Sequence, residues 1–147
     1  MQQIGEGTIE VPDDWHNSSV NIFTAAPAGS KGLSVTINRD KIAFGTSIHD
    51  YAAEQSNKLK DQLNNYKLIN ETNIMVDGQS GKLMEFSWAS PDVGDIHQLL
   101  LTLAHGQIAI NFAATSAGKM TDEQRKSLIA MLLSFRFNQN GATNDPQ

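Results

Sequence analysis

The chain has 147 residues and a mass of 16.1 kDa, enough for one domain with a hydrophobic core. Only 18% of the residues are charged, while Asn, Gln, Ser and Thr number 43, so the composition is that of a globular protein whose polar surface is mostly uncharged. A net charge of −5 without any basic run argues against binding of nucleic acid or an anionic membrane, and the lack of cysteine removes disulfides, thiolate metal sites and a cysteine nucleophile.

No apolar run reaches the roughly 18 residues a bilayer span needs, so no direct membrane insertion is expected. The opening Met1-Gln2-Gln3-Ile4-Gly5-Glu6 does not read as a signal peptide, which makes a soluble cytoplasmic protein the expectation. Residues 4–12 read as a strand anchored by Ile4, Ile9 and Val11 and closed by Pro12, followed by a turn at Asp13-Asp14-Trp15. Strands at 19–24 and 33–39 flank the turn-rich stretch 25–32. The second alternates strictly, Leu33, Val35 and Ile37 against Ser34, Thr36 and Asn38.

A helix is expected from a Ser47 cap to about residue 66, with Tyr51, Gln55, Leu59, Leu63 and Tyr66 on one stripe. Strands at 69–76 and 82–90 surround a turn at 77–81, and strands at 95–105 and 107–115 form a hairpin about Gly106. Thr121 and Gln124 spell a capping box for a second helix ending near residue 135, with Leu128, Ile129, Leu132 and Phe135 facing inward. The fold class is α+β, a mainly antiparallel β-sheet with two principal helices. Residues 1–137 are expected to form a single domain, and 138–147 a flexible polar tail.

The sequence holds no catalytic constellation. His16, His49, His97 and His105 lack zinc spacing and lie beside turns or strand ends, as ordinary surface or hairpin-end histidines do. Asp13-Asp14 and the pair Asp92/Asp95 flank Pro12, Pro91 and Gly94 and read as turn formers rather than acid–base pairs. No nucleophile elbow, Walker loop or dinucleotide glycine motif is present, so no enzyme activity, metal or cofactor is expected.

Two features resist the plain reading. In the strand 96–104, Leu99, Leu101 and Leu103 make one face aliphatic, whereas Ile96, Gln98, Leu100 and Thr102 mix aliphatics with an amide and a hydroxyl. A solvated face normally carries Lys and Glu, and this one has almost none. Gln55 interrupts an otherwise apolar or aromatic helical stripe, either as a core amide bonded to backbone or as a hydrogen-bonding group beside an apolar groove. Aliphatic walls, small side chains and a few amides suit a transmembrane-type helix, which needs close approach and occasional polar contacts.

The segments Glu6-Gly7-Thr8-Ile9-Glu10-Val11-Pro12-Asp13-Asp14-Trp15, Val20-Asn21-Ile22-Phe23, Ser34-Val35-Thr36-Ile37-Asn38-Arg39-Asp40, Tyr51-Ala52-Ala53-Glu54-Gln55 and His97-Gln98, in that order, resemble the DcrB-like family. Within it they are similar to the Eag-type chaperones encoded beside type VI secretion effectors. The resemblance, over residues 3 to 136, implies a Mog1/PsbP-like fold and a cytoplasmic homodimer without enzymatic activity. It also implies a partner, the N-terminal transmembrane segments of a PAAR/Rhs effector, shielded until the effector is loaded on the secretion spike. The guest-binding positions it implies are Val20 and Ile22, then Ser34, Thr36 and Asn38, then Gln55, Leu59 and Leu63, and finally Ile96 and Gln98. Thr36 stands where the family more usually has an aliphatic residue and Asn38 where serine is expected. The alternative is a protein-binding module of the same fold with another partner. A periplasmic lipoprotein like DcrB would need a lipobox cysteine, and a hydrolase would have to use His16 or His97 with a nearby Asp.

Overall fold

The computed structural model describes residues 2–4, 7–10, 12–13, 20–24 and 33–138. Within them, β1 (Gln2–Ile4) and β2 (Gly7–Ile9) pair antiparallel, Gln2 opposite Ile9. This corrects the single strand expected over 4–12, because the chain reverses between Ile4 and Gly7, where Gly5 and Gly7 interrupt the apolar run. The expected roles of Val11, Asp14 and Trp15, His16, the turn at 25–32 and the tail from 139 lie outside the described residues.

The main sheet has six strands in the order β3 (Asn21–Thr24), β4 (Leu33–Lys41), β8 (Ile108–Ala117), β7 (Gly94–His105), β6 (Gln79–Ser90) and β5 (Lys67–Val76), all neighbours antiparallel. Helix α1 (Ile48–Gln62) lies over β6 and β7 on one face, and α2 (Asp122–Leu133) covers the other. The class is therefore the α+β antiparallel sheet with two helices that the sequence pattern implies.

Strand alternation sorts the side chains. Toward α2 point Leu33, Val35 and Ile37 of β4, Ile110, Phe112 and Ala114 of β8, and Leu99, Leu101 and Leu103 of β7, closed over by Leu128 and Leu132. Leu101 and Leu103 are completely inaccessible to solvent. Ile129 and Phe135 are partly buried against the same cluster, as the inner helical face requires, although the helix stops at Leu133 rather than near Phe135. Phe135 and Phe137 meet edge to face at 4.8 Å, and Phe137 stacks on His105 at 4.7 Å.

Local chemistry fixes the ends of the elements. The Ser47 Oγ accepts the Asp50 N–H at 3.0 Å, and Thr121 with Gln124 forms the full reciprocal capping box. Helix α1 ends at Gln62, four residues before the expected limit. Leu63 is its extended C-cap, and Asn65 takes a left-handed conformation (φ 54°) that asparagine tolerates better than most residues. Tyr66 thus reaches its place by a turn, not by helical spacing, and its ring tilts against Phe86 at 5.3 Å. Strand β5 begins at Lys67, earlier than expected, with a bulge between Leu68 and Asn70. The loop expected at 77–81 is the two-residue turn Asp77-Gly78, both at positive φ, which matches the twist of a hairpin. Gly81 faces Leu103 where a Cβ would lie 2.2 Å from the Thr102 carbonyl oxygen, so this point of the β6–β7 ladder admits no side chain.

Candidate functional site

The face that carries α1 is only half covered. Over β6 and β7 the helix buries Met84 and Phe86, and its Ile48 and Tyr51 pack with Ile42 and Ala109. Beyond the contacts of Ile48 and Tyr51, the part of this face on β3, β4 and β8 has no helix above it among the described residues. The register brings Ile22 opposite Thr36, Thr36 opposite Ala113, Asn38 opposite Asn111, and Ser34 opposite Thr115. All of these β4 and β8 side chains are half-buried, none is charged, and the β3 margin carries Val20 at 51% exposure and Ile22 at 66%. Arg39 and Asp40 bring charge to the end of β4.

Between this open floor and α1 lies a cavity of about 460 Å³ lined by Val20, Asn38, Arg39, Asp40, Tyr51, Gln55, Leu59, Leu100 and Asn111. Four residues singled out from sequence, Val20, Asn38, Gln55 and Leu59, thus meet in one depression. Ile22, Ser34 and Thr36 continue the same face along β3 and β4. Leu63 and Ile96 sit apart from the cavity. Leu63 is half-buried at the helix C-cap, while Ile96 is buried and lines a second depression of about 720 Å³ near Trp88, Tyr66, Lys67 and Lys119.

Two hydrogen-bonded ladders stiffen the floor. In the first, the Tyr51 hydroxyl donates to Asp40 Oδ2 at 2.9 Å. Asn111 Nδ2 donates to the Tyr51 oxygen at 3.1 Å and to Asn38 Oδ1 at 3.3 Å, and Thr102 Oγ1 donates to Asn111 Oδ1 at 2.8 Å. Burial pushes the Tyr51 phenol up to about 12; the Asn111 hydrogen bond works against that rise and the Asp40 carboxylate adds to it. In the second ladder, Trp88 Nε1 donates to Gln98 Oε1 at 2.7 Å and Gln98 Nε2 donates to Thr115 Oγ1 at 2.9 Å. Gln98 is therefore already engaged on both ends of its amide. Gln55 is half-buried and its side-chain amide bonds no described residue, unlike a core amide tied to backbone.

Sequence reading missed Asn111, Thr115, Trp88 and the site role of Tyr51. The signal was present: in Asn111-Phe112-Ala113-Ala114-Thr115 the alternation places the two polar residues opposite Phe112. It also missed a cluster on the α2 face. His97, expected among surface or hairpin-end histidines, is buried inside β7, where Nε2 meets Glu85 Oε2 at 2.7 Å and Nδ1 accepts the Met120 N–H at 2.9 Å. An N–H can only donate, so Nδ1 is unprotonated and Nε2 carries the hydrogen toward Glu85. Arg125 Nε completes the cluster at 2.8 Å from Glu85 Oε1. Burial alone would raise the Glu85 carboxyl, but the hydrogen bonds from Arg125 and His97 together with the Arg125 charge hold it below the ordinary carboxylate range. This cluster ties α2 to the sheet through Arg125, and its His97 also lines the second depression. Among the described residues no group of His, Asp and Glu is arranged to hold a metal ion, and no helix is long and apolar enough to cross a membrane.

The antiparallel sheet thus has one closed aliphatic face and one half-open, largely uncharged face. Residues 6–134 match the family called DcrB, and the chain belongs to that family. It is 29% identical over 89 residues to the Pseudomonas aeruginosa protein named Effector EagT6, a match covering 60% of this chain and 62% of that protein's length. In three dimensions it is similar to PA94, a Pseudomonas aeruginosa protein of unknown function, with a TM-score of 0.73 at 20% identity, covering 99% of this chain and 96% of the other. The solution structure of PsbP from Synechocystis sp. PCC 6803 aligns with a TM-score of 0.47 at 14% identity over 86% of this chain and 94% of the other.

Proposed function

We propose that this protein is a cytoplasmic chaperone of a type VI secretion effector, binding the effector's N-terminal transmembrane helices until a PAAR/Rhs-type protein is loaded on the spike. The observation that carries the reading is the floor on β3, β4 and β8, open among the described residues, largely uncharged and built of small side chains, with Val20 and Ile22 exposed along its margin. An apolar helix in water aggregates or inserts in the nearest bilayer; a groove that covers its apolar face opposes both outcomes. Small Ser, Thr and Ala side chains let a helix approach the sheet closely, and amides satisfy polar groups that the contact would otherwise strand. Val20, Ile22, Leu59 and Leu63 supply apolar contact, Ser34, Thr36, Asn38, Gln55 and Gln98 supply polar contact, and Ile96 extends the set toward the second depression. The resemblance to Eag-type chaperones and the similarity to EagT6 point the same way. No step of this work calls for a catalytic group or a cofactor. A homodimer would bring two such grooves to a pair of effector helices, which light scattering at micromolar concentration would test.

The decisive experiment is co-expression of the chain with the N-terminal segment of the effector encoded beside it. Ile22→Asp is expected to abolish co-purification with an unchanged melting temperature, because the guest would have to desolvate the new carboxylate while the free protein leaves it hydrated. Normal binding by that variant would move the groove elsewhere, and unfolding would make Ile22 a core residue.

A further inference from the structure

The α2 face of the sheet is aliphatic along β7 only from Leu103 to Leu99. One row nearer the strand ends, the register sets Lys67 of β5 beside Ser87 of β6, Ser87 beside His97 of β7, and His97 beside Ser116 of β8. His97 meets Glu85 and Met120 on the α2 side, so the whole row belongs to that face. Helix α2 begins only at Asp122, and the chain leading to it runs beside β7, with Gly118 bridging to Ile96 and donating its N–H to the Asp95 carbonyl at 2.7 Å. The second depression opens here, lined by Lys67, Ser87 and His97; its 720 Å³ or so lies within the roughly 300–1,000 Å³ usual for small-molecule sites.

Serine, histidine and glutamate on neighbouring strands invite a catalytic reading, but the hydrogen bonds exclude it. The Nε2 hydrogen of His97 is spent on Glu85 and the Nδ1 lone pair on the Met120 N–H, so the ring cannot take the Ser87 proton. Charge points to binding instead. Glu85 is paired with Arg125, whereas Lys67 and Lys119 line the depression without an ion pair to any described residue, and the half-buried Ser87 hydroxyl bonds none. Asp95 is the one acid among the described lining residues, so two lysines outweigh it in a chain of net charge −5. Lys67 rises from β5 and Lys119 from beside β7, two strand spacings or about 10 Å apart, and their flexible stems can bring both ammonium groups to a ligand held over Ser87. We propose that this depression binds a small oxyanion with an apolar body, a carboxylate or a phosphate monoester. Lys67, Lys119 and the Ser87 hydroxyl donate to its oxygens, as they can to either acid, and Ile69 and Ala89 of the lining meet its apolar part. The site shares only Ile96 with the proposed guest contacts, so it stands or falls apart from the groove.

The test titrates the isotope-labelled full chain with benzoate, phenyl phosphate and benzylamine, reading amide chemical shifts at Ser87, His97 and Gly118. The expected result is a saturable shift with benzoate or phenyl phosphate, and the tighter of the two identifies the acid group. Lys67→Gln and Lys119→Gln should each weaken that binding about tenfold. Lys58→Gln, on α1 and paired with Glu54, should leave it unchanged. Lys67 and Lys119 are both exposed, so their variants keep the fold, which an unchanged melting temperature confirms. Benzylamine binding as tightly as the acids would put Asp95 in place of the lysines and overturn the proposal. So would the absence of a saturable shift with either acid, or acid binding that neither lysine substitution weakens.

Discussion

The two faces of the sheet solve the same problem in opposite ways. On the α2 face, Leu99, Leu101 and Leu103 are sealed under Leu128 and Leu132, and the polar groups there, Glu85, His97 and Arg125, satisfy one another. On the α1 face the helix touches β4 and β8 chiefly through Ile48 and Tyr51, and hydrophobic cover gives way to amides and hydroxyls that are half-buried and ordered by Asp40 and Trp88. One face holds the fold together with apolar area; the other holds polar groups in place at the cost of leaving apolar residues such as Ile22 in water. Stability and binding are therefore expected to separate by face.

The largest effect on stability should come from the closed face. Leu132→Ala, at a side chain 2% exposed, should destabilise the protein by about 2–5 kcal/mol in denaturant unfolding, and a loss under about 0.5 kcal/mol would remove the contrast. Next comes the ion cluster: Glu85→Gln should cost about 1–3 kcal/mol near neutral pH. Because the Glu85 carboxyl titrates below its unfolded value, its contribution is present above the ordinary carboxylate range and is lost as pH falls through that range toward the folded pKa. Acid titration of stability should accordingly be flatter in Glu85→Gln than in the unmodified chain.

On the open face, Tyr51→Phe leaves Asn111 and Asp40 without their shared partner and should cost about 1–2 kcal/mol. The sign of its pH dependence is the reverse: with the phenol raised from 10.0 to about 12, its contribution is full below pH 10 and disappears as pH rises through 12. Unfolding curves between those values should show a fall that the Phe variant lacks. The smallest change in stability belongs to Ile22→Asp, within about 0.5 kcal/mol, although its effect on guest binding is expected to be complete. A large melting shift there would mean that both faces are core.

Local rules carried much of the architecture. The strict alternation over 33–38, the Ser47 cap and the Thr121/Gln124 capping box each have a short-range cause that a reader of the sequence can recognise, and each stands in the structure. Misreadings occurred where a distant partner decides. Tyr66 continues the helical stripe of Tyr51, Gln55, Leu59 and Leu63, yet Asn65 turns the chain out of the helix and Phe86 receives the ring. His97 neighbours a hairpin, but its burial depends on Glu85 and Met120, from another strand and a later segment. The open face was visible as a polar alternation; Asn111, which joins β4, β7 and α1, could be identified only after register had placed Asn38 beside it.

The hydrogen bond from Trp88 to Gln98 also makes the protein its own optical probe. The sequence contains two tryptophans, Trp15 and Trp88, so a Trp15→Phe chain has a single indole emitter. That emitter is bonded to Gln98, one of the residues proposed to contact the guest. Emission wavelength and intensity of an indole respond to its polar surroundings, so occupancy of the floor should register as a fluorescence change without any dye. Binding, competition and release could then be followed in real time on an otherwise unlabelled molecule.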